Sequence, residues 1–103
     1  MDEVVYDTRM RRYSRFVWGM HYLRTRFPTM SVTSWGRSPA HNKGLPGSDP
    51  ASQHLEWTAA DVVFDPGTEP EHGTLVAAAR EVGIEVQKEA DHTHLELVTG
   101  WLP

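Results

Sequence analysis

Residues 52–61 read Ser52-Gln53-His54-Leu55-Glu56-Trp57-Thr58-Ala59-Ala60-Asp61, a histidine and a carboxylate on either side of a turn into an apolar run. From Trp57 to Phe64 the pattern is that of a strand, with Ala59, Asp61 and Val63 pointing one way and Ala60, Val62 and Phe64 the other. A charged Asp61 in so apolar a strand is costly unless it is paired or bound to a metal. It is therefore half of a buried salt bridge or a ligand. A second segment, A-D-H-T-H-L-E-L at residues 90–97, offers Asp91, His92 and His94 at the mouth of another short strand. There His92, His94 and Glu96 share one face, while Thr93, Leu95 and Leu97 share the core-facing one. Two imidazoles and one carboxylate form a three-ligand set that leaves a zinc ion one open position, the mark of a catalytic site. Asp91 is left over to act as base. Two histidines two apart on one strand face need not both ligate: the first can donate to a substrate oxyanion while the second binds metal. Glu96 is placed to orient a ligand imidazole. The set points to a small zinc hydrolase.

Ser-x-His-x-x-Gly-x-Ala-x-Asp followed by Asp-x-x-His resembles the signature of the zinc D-Ala-D-Ala metallopeptidases. That family covers D-alanyl-D-alanine carboxypeptidases and phage L-alanyl-D-glutamate endolysins, with a fold shared by hedgehog signalling domains. Ser52, His54, Ala59 and Asp61 match the first motif, and Asp91 and His94 the second, with His92 giving a His-x-His form. The resemblance implies that His54, Asp61 and His94 bind zinc, that Asp91 is the general base and that His92 supports the transition state. Upstream, T-S-W-G-R-S-P-A-H-N resembles the strand and loop that carry the family's arginine, which falls on Arg37. The match spans roughly residues 31–98. One departure is plain: Trp57 stands where the family has Gly, and if that position takes φ > 0 a Trp there is strained. The implied substrate is a peptide bond in the peptidoglycan stem, cut in carboxypeptidase or endopeptidase mode. The alternative is a non-catalytic zinc-containing module that binds the cell wall or serves in a virion.

Outward from these motifs, residues 7–27 read as a helix. Tyr6, Met10, Tyr13, Val17 and Met20 recur at steps of four and three, and Phe16, Leu23 and Phe27 widen the stripe. Asp7 or Thr8 is the expected cap and Pro28 the stop. Residues 29–35 alternate as a strand with Met30, Val32 and Ser34 on one face, and Arg37 follows at its exit. Residues 38–51, rich in Pro and Gly, form a loop beside the site, with His41 a weak alternative ligand. Thr68 and Glu71 form a capping box for a helix over 69–82 that buries Leu75, Val76, Ala79 and Val82 and stops at Gly83. A strand at 84–88 completes the set. The expected architecture is a single α+β domain. Its strands near 30–35, 58–64, 84–88 and 93–98 form one mainly antiparallel sheet, with both helices on its back. The resemblance makes it hedgehog/D-Ala-D-Ala peptidase-like.

The 103 residues suffice for one core, and with 39% hydrophobic content and four Trp they describe a folded globule. With no cysteine, any metal must be held by His and carboxylates. Net charge is −4, unevenly spread: Arg9, Arg11, Arg12, Arg15, Arg24 and Arg26 crowd the first 27 residues. Arginines at helical spacing make a solvated face, so no nucleic-acid partner is expected. No apolar run approaches the ~20 residues of a membrane span, and the acidic N-terminus is not a signal peptide. The expected protein is a monomer, cytoplasmic as synthesised, that reaches the wall after release if phage-encoded.

Overall fold

The computed structural model describes residues 3–36 and 57–100. Over these the chain is a small α+β fold in the order α1 (Glu3–Arg26), β1 (Met30–Trp35), β2 (Ala59–Phe64), α2 (His72–Glu81), β3 (Ile84–Lys88) and β4 (Thr93–Leu97). The strands form one antiparallel sheet in the order β1-β2-β4-β3. Both helices cover one face. Phe16, Met20 and Leu23 of α1 meet Met30, Ala60, Val62, Leu95 and Leu97 from the sheet and Ala78, Ala79 and Val82 from the second helix and its end. The opposite face carries Asp61, His94 and Glu96, because a period of two sends alternate residues to opposite sides. Among the described residues no helix is long and apolar enough to cross a membrane.

Three local expectations need correction. The first concerns α1, which begins at Glu3, so neither Asp7 nor Thr8 caps it. Asp7 instead pairs with Arg11 one turn on, at 2.9 Å. Only the second half of its apolar stripe is buried, and Met10 and Tyr13 stay exposed. The second concerns Thr68, which caps nothing. Its hydroxyl donates to the Asp65 carbonyl at 2.6 Å and meets Thr29 Oγ1 at 2.8 Å, tying the turn after β2 to the start of β1. With that hydroxyl committed and Pro70 following, α2 starts late, at His72, with Glu71 as a cap that makes no side-chain bond. It buries Ala78 in addition to Leu75 and Ala79, whereas Val76 is only half-buried.

The third concerns β1. Val32 pairs with Val62 and Ser34 with Asp61, so Thr33 is an extra residue in a β-bulge. Met30, Val32 and Ser34 therefore do not share one face. The bulge turns Ser34 toward Asp61 and sends Trp35 to the core, where its ring meets Phe16 edge-on at 5.5 Å.

Several arginines of α1 make local contacts. Arg15 lies 4.7 Å over the Trp18 ring, and Trp18 stacks on Tyr22. Arg26 donates to the Tyr22 hydroxyl at 2.9 Å, and that hydroxyl donates to Glu81 of α2 at 2.5 Å. Arg24 donates to the Pro28 carbonyl just past the helix end.

Candidate functional site

The register of β2 against β4 sets Asp61 directly opposite His94. Oδ1 of the carboxylate accepts from Nδ1 of the imidazole at 2.9 Å, with the two side chains 23% and 19% exposed. Neighbouring Ala59, Ala60 and Val62 are apolar and fully buried, so desolvation of the Asp61 charge is offset by groups from outside its own strand. The next residues on the same face extend the row. His92 Nε2 lies 3.8 Å from Asp61 Oδ1, and His94 Nε2 lies 3.8 Å from Glu96 Oε1. Glu96 thus stands on the far side of the His94 ring, at ion-pair range but beyond hydrogen-bond length.

Asp91 is brought to His92 and not to the Asp61–His94 pair. His92 Nδ1 donates to Asp91 Oδ1 at 2.6 Å, and the Asp91 side chain is 89% exposed. That hydrogen bond holds the Asp91 carboxyl below its ordinary range, and attraction to the ring acts the same way. It also raises the His92 imidazole, against a smaller opposing effect of burial and with help from the charge of Asp61. His92 is therefore biased toward imidazolium, a form with two donors and no acceptor. A ring in that state can hydrogen-bond an oxygen that is gaining negative charge. Beside it opens a cleft of about 290 Å³ lined by Val63, Phe64, Glu69, Lys88, Asp91 and His92, among others.

Asp61 and His94 stand at the distance of a direct hydrogen bond, somewhat closer than two ligands of one metal ion. A tetrahedral zinc with bonds of 2.0–2.1 Å separates two ligand atoms by about 3.3 Å, and the observed 2.9 Å needs only a small opening. Both donors suit zinc chemically, one oxygen and one imidazole nitrogen. His54 and Arg37, the other two residues expected here, lie outside the described residues, as do His41 and the loop at 38–51. Among the described residues no three His, Cys, Asp or Glu side chains are grouped to hold a metal ion.

Trp57 takes φ = +61°, the left-handed conformation that makes a bulky residue costly. The strain is on the order of 1–2 kcal/mol. Around it the backbone is pinned: Trp35 Nε1 donates to the Trp57 carbonyl at 3.0 Å, and Leu97 N to the Thr58 carbonyl at 2.9 Å. The indole lies on Gly36, itself at φ = +63°, where an added Cβ would meet the six-membered ring at 2.2 Å. Gly36→Ala should therefore both strain the backbone and dislodge the indole. We expect a loss of about 1–3 kcal/mol in denaturant unfolding, and Trp57→Gly, which relieves one strain while removing one contact, should cost less. Equal losses in the two variants would show that the indole, not the backbone, dominates. Against known proteins, the chain gives no significant match to any family model, any curated protein or any solved structure.

Proposed function

We propose that the chain is a zinc peptidase of the hedgehog/D-Ala-D-Ala peptidase-like type, acting on the peptidoglycan stem peptide as a D-Ala-D-Ala carboxypeptidase or an L-Ala-D-Glu endopeptidase, as a phage endolysin would. The observation that carries this reading is the pairing of Asp61 with His94 at 2.9 Å across adjacent strands, on the face the helices leave open. His54, Asp61 and His94 would hold the zinc. When bound, zinc supplies the electrophile that polarises the scissile carbonyl and eases deprotonation of the attacking water.

The chain's own residues do the rest. Asp91 takes the proton of the water and returns it to the leaving amine. His92, held by Asp91 in its donor form, hydrogen-bonds the carbonyl oxygen as charge builds there, and Arg37 assists from the exit of β1. A second reading keeps the metal and drops the turnover: a zinc-containing wall-binding or virion module. It is favoured by the position of Asp91, which faces His92 and solvent.

The two are separated by measuring zinc stoichiometry on purified protein and, on the same samples, release of free amine from peptidoglycan and from a D-Ala-terminated stem peptide. One zinc per chain with amine release supports the peptidase. Zinc without release on any wall substrate leaves the binding module, and absence of zinc sinks both.

A further inference from the structure

β3 is an edge strand, with β4 on one side and no described strand on the other. Its pairing fixes where its backbone groups point. Val98 N donates to the Gly83 carbonyl at 2.9 Å, and Glu89 N to the His92 carbonyl at 2.9 Å, so the odd-numbered residues between them bond to β4. The N–H and C=O groups of Ile84, Val86 and Lys88 therefore face outward, along an edge that can template a further strand. Beside this edge lies a cavity of about 740 Å³, lined by Gly73, Val76 and Arg80 of α2 and by Ile84, Glu85 and Val86, among others. Val76 and Val86 are half-buried there. At Gly73 a Cβ would project into open space. Glycine inside a helix is unfavourable by itself, and one that borders a cavity leaves room for a second backbone to approach. The cavity is thus a groove with a helical wall, apolar side chains at its base and outward-facing backbone groups along one side. Its charges differ between faces. Glu85 is exposed and stands directly opposite Glu96 on the open face of the sheet, a like-charge pair that costs stability. Arg80 stands on the helix side.

We propose that the groove between α2 and β3 takes an extended peptide segment of a partner protein, added antiparallel to β3 as a fifth strand, with an apolar residue opposite Val86 and a basic residue opposite Glu85. Main-chain hydrogen bonds to the edge supply affinity, and alternate side chains supply selectivity. The side chain opposite Val86 falls on the helix side, over Gly73 and Val76. Its neighbour falls on the open face beside Glu85, where a cation offsets the Glu85–Glu96 repulsion. Arg80 disfavours a second cation on the helix side, so apolar and basic residues must alternate. A second copy of this chain fits less well. Pairing β3 with itself joins only five residues a side. The exposed residues of α2, among them Thr74, Ala77 and Glu81, include no large apolar side chain to extend that contact toward the ~1,000 Å² of a stable interface.

The probe is the capped peptide Thr-Lys-Val-Lys-Val-Lys-Thr, titrated into the full chain and followed by backbone amide resonances in NMR. The amides of Ile84, Val86 and Lys88 should shift together at submillimolar peptide, as their N–H groups gain acceptors. Gly73→Leu fills the groove with a better helix former and keeps the fold, and it should bind about tenfold more weakly or not at all. N-methylation of both valines leaves the charge of the peptide unchanged and should abolish binding. Glu85→Lys should weaken binding about fivefold and make Thr-Glu-Val-Glu-Val-Glu-Thr the better ligand. No shift at β3 in wild type overturns the proposal. Binding that survives Gly73→Leu or N-methylation does so too, since it would be charge attraction alone. Sedimentation of the free chain as a dimer that Gly73→Leu splits would assign the groove to a second copy, which also overturns it. None of these readouts involves zinc or turnover, so failure of the peptidase reading and failure of the groove are told apart.

Discussion

His94→Ala is expected to abolish stoichiometric zinc binding, and Asp61→Ala to do the same. On the proposed zinc reading each removes one of three ligands, and the two that remain would hold zinc too weakly to survive dialysis. The clearest readout is thermal. A metal bound only by the folded state stabilises it by about 2.7 kcal/mol at a hundredfold excess over its dissociation constant. For a chain of this size that is a rise in Tm on the order of 10–20 °C. Wild type should lose this increment on chelation and regain it with zinc, whereas both variants should melt at the same temperature either way. The contrast matters because the 2.9 Å contact would also be broken if it were a plain ion pair. In that case the variants would be destabilised and wild type would be indifferent to chelator. Full zinc affinity in His94→Ala would move the ligand role to His41 or to His92, whose Nε2 lies 3.8 Å from Asp61.

The second large effect is on turnover. Asp91→Asn should keep zinc and fold and lower hydrolysis by several orders of magnitude, the loss falling on kcat more than on KM, because the amide keeps the shape and lacks the proton acceptor. The 2.6 Å bond to His92 adds a second route by which Asp91 could act, through the ring and not on water. A double-mutant cycle separates them. If Asp91 takes the proton itself, Asp91→Asn should remain damaging in a His92→Ala background. If it serves only to hold His92 in its donor form, the effect should vanish there, and the assignment of the base is wrong.

Much of this geometry follows from two short alternating segments. The pattern of 59–64 separates Asp61 from Ala60 and Val62, and that of 93–97 separates His94 from Leu95 and Leu97. Burial repeats the alternation strictly in β4, whereas in β2 Ala59 is buried along with Ala60 and Val62, and only Asp61 interrupts the buried run. What alternation cannot supply is which strands are neighbours, and the Asp61–His94 pairing rests on β4 lying between β2 and β3. The misreadings also have physical causes. One inserted residue at Thr33 reverses the faces of everything after it in β1. Thr68 has the residue type of a cap but spends its hydroxyl on Asp65 and Thr29. Met10 and Tyr13 obey helical spacing in the first half of α1, yet they remain exposed, and spacing alone cannot say where burial stops. The strain at Trp57 was legible only as a conditional on its backbone angle, and φ = +61° meets that condition.

The strand order also sets a sequence of events during folding. β3 and β4 are consecutive and pair directly, so the hairpin from Ile84 to Leu97 closes a short loop and can form early. β2 reaches β4 only after the chain has passed through α2 and β3, and its contact joins residues 33 apart at Asp61 and His94. Non-local pairings of this kind must meet their loop-closure entropy before they contribute stability, and so they come late. Half of the acid–imidazole pair is thus presented by a fast local unit and the other half by the strand that completes the sheet. Any ion that needs both side chains is captured at the end of folding, and its uptake would time the docking of β2 in a stopped-flow refolding experiment.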